Sequence, residues 1–257
     1  MKNIIHFLTL SIVLMAASCR NKPNSPTVET AAVNLAFRAT YGGEPLVLNQ
    51  RNYNYLGNPV RFSKINFYIA DLVVINNDGE TELSDILFVD LNKSHQDLED
   101  AMDGTVMSFQ RVPEGKYNRL RFGVGVPADL NKTRPADYSK THPLGADNSE
   151  EYWEPWNSYI FTRIEGQYDR NGNGFDGDDV NFAYFTGTDR VFTNIDLDYE
   201  IDIETGNTTN LNFELDIQKL LSLPRGDMIE LEESDPANQI DEMFIIRNNF
   251  RTALTLN

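Results

Sequence analysis

The sequence predicts an all-β fold, an antiparallel sandwich of about nine strands with short peripheral helices, one of them C-terminal. Three observations carry this. Apolar and polar residues alternate over several segments, runs rich in β-branched and aromatic residues recur along the chain, and turn residues separate those runs with no long helical segment between them.

The chain opens with a charged start (Lys2), an apolar run over 4–15 and the small residues Ala16-Ala17-Ser18 before Cys19. This is the pattern of a signal peptide over 1–18 that ends in a lipobox. Cys19 sits where lipoprotein processing needs a thiol nucleophile, so it is expected to carry the lipid; an ordinary free thiol is the plain alternative. The apolar run is about twelve residues, short of the roughly 20 that cross a bilayer, so the membrane is reached through the lipid. Arg20 follows the cysteine where an inner-membrane retention aspartate would stand. The expected location is therefore the cell envelope, on the outer membrane, at its periplasmic or surface face.

Residues 19–31 are polar, with two prolines and no periodicity, and read as a flexible tether. A single domain is expected over 32–257. Its first strand begins at Val33, with Val33, Leu35 and Phe37 on one face and Asn34, Ala36 and Arg38 on the other. Further strands are predicted at 60–75, 86–91, 106–112, 117–126, 159–168, 180–185, 191–203 and 208–217. Asn77-Asp78-Gly79, Pro113-Glu114-Gly115 and Thr205-Gly206-Asn207 supply turns. The last of these separates two strictly alternating runs and predicts a hairpin. Short helices are expected at 216–222 and 237–254, the latter from the spacing of Ile240, Met243, Phe244, Ile246, Phe250 and Leu254. The 127–155 stretch is polar, carries four prolines and has no period, which marks it as functional or disordered.

The formal net charge is −17, and cleavage would remove Lys2 alone among charged residues, taking it to −18. Such a surface repels phosphate backbones, and no basic stripe offsets it, so nucleic acid is excluded as a partner. Cys19 is the single cysteine, so the domain has no disulfide and must be held by its core, with a bound metal as the other source of support that the chemistry allows.

The order of segments resembles the MbnP-like copper-binding domain family of exported β-sandwich proteins. The likeness rests on Phe67-Tyr68-Ile69-Ala70-Asp71-Leu72, Val89-Asp90-Leu91, Val112-Pro113-Glu114-Gly115-Lys116-Tyr117 and Leu120-Arg121-Phe122-Gly123-Val124-Gly125-Val126-Pro127. It continues through Leu130-Asn131, His142-Pro143-Leu144, Tyr152-Trp153-Glu154-Pro155-Trp156-Asn157-Ser158-Tyr159-Ile160-Phe161 and Ile164-Glu165-Gly166. The resemblance implies an immunoglobulin-like β-sandwich, export, and a copper site in which histidines act with an oxidised tryptophan. It also suggests an outer-membrane transporter or a haem peroxidase as partner. This chain departs from the pattern at Ala183-Tyr184-Phe185-Thr186-Gly187, where Phe185 stands at the expected histidine. His95 and His142 are the histidines beyond the signal segment, and a tight copper site ordinarily wants two imidazoles or a thiolate beside another ligand.

The sharpest local signal is 169–179. Asp169, Asn171 and Asn173 occupy positions 1, 3 and 5 of a calcium loop, Gly174 position 6, and Phe175 would offer its carbonyl at position 7. Position 12 is Val180, not glutamate, but Asp176, Asp178 and Asp179 are close enough to complete an oxygen shell. A solvated acidic hairpin loop is the plain alternative. Trp153 and Trp156 are expected either to pack as core or corner residues or, with His142, to lie by a copper ion, one of them oxidised. His95 lies in the polar stretch Ser94-His95-Gln96-Asp97 and is expected to be solvated, and 230–235 to be a charged surface loop. No nucleophile elbow, H-E-x-x-H or phosphate-cradling loop occurs, so the reading is not an enzyme. The sequence supports two functions: a lipid-anchored envelope binding protein that captures metal, or a calcium-stabilised accessory lipoprotein of an outer-membrane complex that binds no copper.

Overall fold

A computed structural model describes residues 28–175, 177–233 and 239–257; the signal segment, Cys19 and most of the tether lie outside them. In chain order the strands are β1 (Thr30–Tyr41), β2 (Glu44–Pro45), β3 (Tyr53–Tyr55), β4 (Asn58–Asn76), β5 (Gly79–Asp90), β6 (Thr105–Pro113), β7 (Gly115–Val124) and β8 (Tyr152–Trp153). They continue as β9 (Ser158–Tyr168), β10 (Val180–Gly187), β11 (Thr193–Ile203), β12 (Thr208–Asp216) and β13 (Leu254–Leu256). Among the described residues three α-helices accompany them, α1 (Leu98–Asp103), α2 (Ile217–Leu220) and α3 (Ile240–Ala253).

The strands form two sheets. The smaller orders β13-β12-β1-β2 with β6 also on β1, and the larger orders β10-β9-β4-β7-β11 with β3, β5 and β8 attached. The predicted β-sandwich is thus the observed fold, with β1 beginning at Thr30, ahead of the alternation at Val33. Pairings are antiparallel except β1 with β12, which run parallel in the register Leu35↔Leu211 and Phe37↔Phe213.

Alternation explains the inner core, because one face of each strand must leave water. Phe37 and Phe213 of the smaller sheet stack at 4.9 Å. Phe122 of the larger sheet meets Phe213 edge-on at 5.8 Å, and Phe67 meets Phe37 at 6.0 Å, both favoured aromatic geometries. Helix α3 closes one end, with Phe250 at 5.9 Å from Phe67. Helix α2 is started by Asp216, whose Oδ1 accepts the amides of Gln218 and Lys219, the usual chemistry of an N-cap.

The hairpin expected around 205–207 is not formed. β11 pairs antiparallel with β7, from Thr193↔Val124 to Ile203↔Gly115, while β12 crosses to the other sheet and pairs with β1 and β13. Strict alternation shows that each strand buries one face, and says nothing of whether two such strands lie side by side. Here the apolar faces meet across the sandwich.

β4 and β9 depart from simple alternation. Residues 65–70 and 158–164 are buried on both faces, as expected of strands covered from above and below. The outer cover is the 126–157 segment, an ordered roof of short 3₁₀ turns at Leu130–Lys132, Pro135–Asp137, Ala146–Glu151 and Glu154–Trp156.

Candidate functional site

Gly125 sends the chain onto the outer face of the larger sheet. Its φ of +111° is open to glycine, and a Cβ there would lie 2.4 Å from Phe161 Cδ2. Its N–H donates to Tyr68 O at 2.9 Å. From there Val126 and Leu144 of the roof pack on Tyr68, Ala70, Tyr159 and Phe161 of the sheet. The two tyrosines fasten what they support. Tyr68 donates its hydroxyl to Pro143 O and Tyr159 to Leu144 O, both at 3.1 Å. Asn131 fixes the other end, accepting from Tyr159 N–H at 2.9 Å and from Ser158 Oγ at 3.0 Å.

Under the roof lies a sealed ionic centre. Asn66 of β4, Arg163 of β9 and Phe185 of β10 stand in register across three strands and so share one face. Glu151, only 1% exposed, descends from the roof onto them. Its Oε2 accepts from Arg163 Nε at 2.8 Å and its Oε1 from Asn66 Nδ2 at 2.9 Å. Arg163 spends its remaining nitrogens on Glu165 Oε1 and Glu150 O, each at 2.7 Å. Burial lifts the Glu151 carboxyl above the ordinary range, against the pull of Arg163, Lys64 and Asn66. Burial works to lower Arg163, but Glu151 and Glu165 outweigh it and hold the guanidinium firmly charged.

The aromatic pair borders this centre. Trp153 and Trp156 meet edge-on at 6.3 Å, and Trp153 also meets Phe185 edge-on at 5.6 Å. Trp156 seats on Gly187, where a Cβ would come within 2.8 Å of its ring. Arg163 also packs on Phe185, its guanidinium carbon 4.3 Å from the ring centroid. The indole N–H of Trp153 and Asn66 Oδ1 are buried without partners. His142 is placed elsewhere on the roof, stacked on Tyr138 at 4.2 Å with Nδ1 accepting from Leu144 N–H at 3.1 Å.

His95 is not solvated. It is fully buried, and Nε2 accepts from Ala39 N–H at 2.9 Å while Nδ1 bonds Ser94 Oγ at 3.0 Å. Gln96 and Asp97, which follow it, are exposed and mask this, while Ser94 turns inward with the ring.

The 169–179 loop joins β9 to β10. Asp169 is fully buried and turns the chain around itself, Oδ1 accepting from Gly172 N–H at 2.7 Å and Oδ2 from Gly174 N–H at 2.9 Å. Asn171 Oδ1 accepts from Asn173 N–H at 3.0 Å. The Phe175 ring lies under the Arg61 guanidinium at 4.1 Å, and one carboxylate oxygen of the half-buried Asp179 is buried without a partner. Asp176 lies outside the described residues, and Asp178 is exposed. Among the described residues no group of three or more His, Cys, Asp or Glu side chains is placed to hold a metal ion.

Sequence reasoning missed Glu151, Asn66 and Arg163. The available signal was Arg163 itself, a charge set inside the otherwise uncharged run Tyr159-Ile160-Phe161-Thr162-Arg163-Ile164, since a buried charge demands a partner.

These features define a class: a two-sheet β-sandwich whose larger sheet is roofed on its outer side over an aromatic and ionic centre. The chain belongs to the MbnP family, whose model matches residues 30–242. Among solved structures it is similar to MbnP from Methylosinus trichosporium, with a TM-score of 0.49 at 13% identity over 75% of this chain and 78% of that one. No curated protein matches.

Proposed function

We propose that this MbnP-family protein is a lipid-anchored binding and interaction protein of the cell envelope, non-catalytic, with calcium in the 169–179 loop and no copper at the aromatic pair. The observation that carries the copper half of this reading is the surroundings of Phe185. Where the family resemblance expects an imidazole, a phenyl ring stands in contact with both Trp153 and a guanidinium cation. An unmodified indole N–H has no lone pair to give, and Arg163 would repel a metal cation. His142 already uses Nδ1 as an acceptor. These donors do not fit a tight copper site.

The calcium half is supported by oxygen chemistry. Asp169, Asn171 and Asn173 lie on one tight turn, and the unpartnered oxygen of Asp179 stands in the same loop. Hard oxygen donors of this kind suit calcium, which would hold the acidic loop against its own charge repulsion. Elemental analysis of the purified protein after incubation with both metals tests both halves. We expect one calcium and no stoichiometric copper. Chelation should lower the melting temperature. Asn173→Ala, which removes a position-5 oxygen and leaves the Asp169 and Asn171 turn bonds in place, should abolish that sensitivity. Stoichiometric copper, or a melting curve indifferent to chelator, would overturn the corresponding half.

Cys19 acylation would bring the domain to the partner class that the resemblance implies, an outer-membrane transporter or a haem peroxidase. Cys19→Ser should move the protein from the membrane fraction to the soluble one. Retention in the membrane would exclude the lipid as its anchor.

A further inference from the structure

Beside the sealed centre the roof leaves an open cleft of about 550 Å³, between residues 131–132, the turn at 188–191 and the first turns of α3. This is the size of a small-molecule site, for which roughly 300–1,000 Å³ is usual. Its walls are apolar and aromatic, from Trp156, Met243 and Phe244, and Ile240 at its lip is 48% exposed. Its floor is built and already satisfied. Asn131 Nδ2 donates to Asp189 at 2.9 Å, and Thr188 N–H donates to Ser158 Oγ at 2.9 Å. The buried Asn131 and Ser158 therefore ask nothing of a ligand, while the carboxylate of Asp189, which accepts from Asn131, is exposed and keeps its charge at the mouth of the cleft.

What the cleft offers is charge at its rim. Lys132 and Arg190 are both exposed, and the Arg190 guanidinium is steadied 5.2 Å from the Phe244 ring centroid. Two cations around an apolar slot are conspicuous in a chain of net charge −17. The long-range field of that charge disfavours anions, but it is screened beyond about 8 Å at physiological salt, so an occupant meets the local charges, where the two cations outnumber the single carboxylate of Asp189 among the lining residues. We infer that this cleft binds a small anionic molecule with a flat apolar body, a carboxylate- or sulfonate-bearing aromatic whose ring lies against Trp156 and Phe244 and whose charge meets Lys132 and Arg190. This inference does not depend on either metal reading.

A charge series on one ring tests it. Naphthaleneacetate, naphthaleneacetamide and naphthylmethylamine are titrated by calorimetry into the purified full protein, with the fluorescence of the Trp153 and Trp156 pair as a second signal. Naphthaleneacetate should bind at one saturable site and the amide about tenfold more weakly, as two solvent-exposed ion pairs allow; the amine should be weaker still. In the Lys132→Ala/Arg190→Ala double variant, whose altered side chains are exposed and outside the core, naphthaleneacetate should fall to the level of the amide with an unchanged melting temperature. Equal affinity across the series would mark an apolar docking groove instead and overturn the inference. So would undiminished binding of naphthaleneacetate by the double variant, or no binding of any of the three at millimolar concentration.

Discussion

Glu151→Ala should cost about 3 kcal/mol of folding stability, the low end of the range for removing one member of a buried ion pair. The reason is the company Arg163 keeps. With Glu151 gone, Asn66 Nδ2 also loses its acceptor, and a guanidinium on a residue only 8% exposed is left with Glu165 and one carbonyl. Glu165 keeps the loss from reaching the upper end of the range. For a domain of this size the melting temperature should drop by roughly 10 °C. Replacing both partners, as in Glu151→Leu/Arg163→Met, should recover part of that loss, since two apolar side chains of similar volume need no pairing, while the buried Asn66 Nδ2 still lacks its acceptor. Urea unfolding of the three proteins measures this. A cost below about 1 kcal/mol for the single variant would mean that water reaches Arg163 and that the roof does not seal the centre.

The parts of this architecture that were legible in the sequence are those whose physics is local. Alternation gave the inner faces of β1, β11 and β12, and the turn residues gave most strand ends, because one residue in two must leave water whatever its partner is. Pairing is not local, which is why the Ile203-to-Leu211 connection read as a hairpin when it is a crossing between sheets. The roof was opaque for a related reason. Its apolar contributions come from single residues such as Val126, Tyr138 and Leu144, spaced without a period among prolines and acids. Only the sheet beneath gives them a common surface. A covered outer face does leave a mark in β4 and β9, where Phe67-Tyr68-Ile69-Ala70 and Tyr159-Ile160-Phe161 are apolar on both strand faces, and the stretches 65–70 and 158–164 that contain them are buried throughout.

The candidate site divides in the same way. The oxygen-bearing turn at 169–174 is made by neighbours and could be read directly. Lys132, Trp156, Arg190 and Phe244 come from four separate segments and converge only in the fold. The placement of Phe185 matters for the same reason. Its sequence position disclosed a missing imidazole, and the structure adds that an arginine from the adjacent strand has taken one side of the ring.

Acid should weaken the fold through His95 by on the order of 3 kcal/mol between pH 7 and pH 4. Burial pulls its pKa from 6.5 down to about 4, against a smaller opposing effect of the Leu91 backbone. The hydrogen bonds explain why the proton is unwelcome. Nε2 accepts the Ala39 amide, so a proton added there would face another N–H. On the other side, Ser94 Oγ links the ring to Thr105 Oγ1 at 2.6 Å, which in turn donates to Asp90 O at 2.9 Å. Because the folded value lies below the unfolded one, the folded state binds fewer protons in the interval between them. The stabilisation is therefore complete above pH 6.5 and is lost as pH falls through the window from 6.5 to about 4. Unfolding free energies of the natural protein and of His95→Gln, whose side-chain carbonyl can accept the same Ala39 N–H, separate this contribution from that of the carboxylates, which titrate in both. The natural protein should lose about 3 kcal/mol more than the variant across the interval, whatever constant offset the substitution adds. If the two stabilities fell in parallel, the ring would have to be accommodating its proton, and the join it makes between β1 and the 91–97 segment would be looser than its hydrogen bonds require.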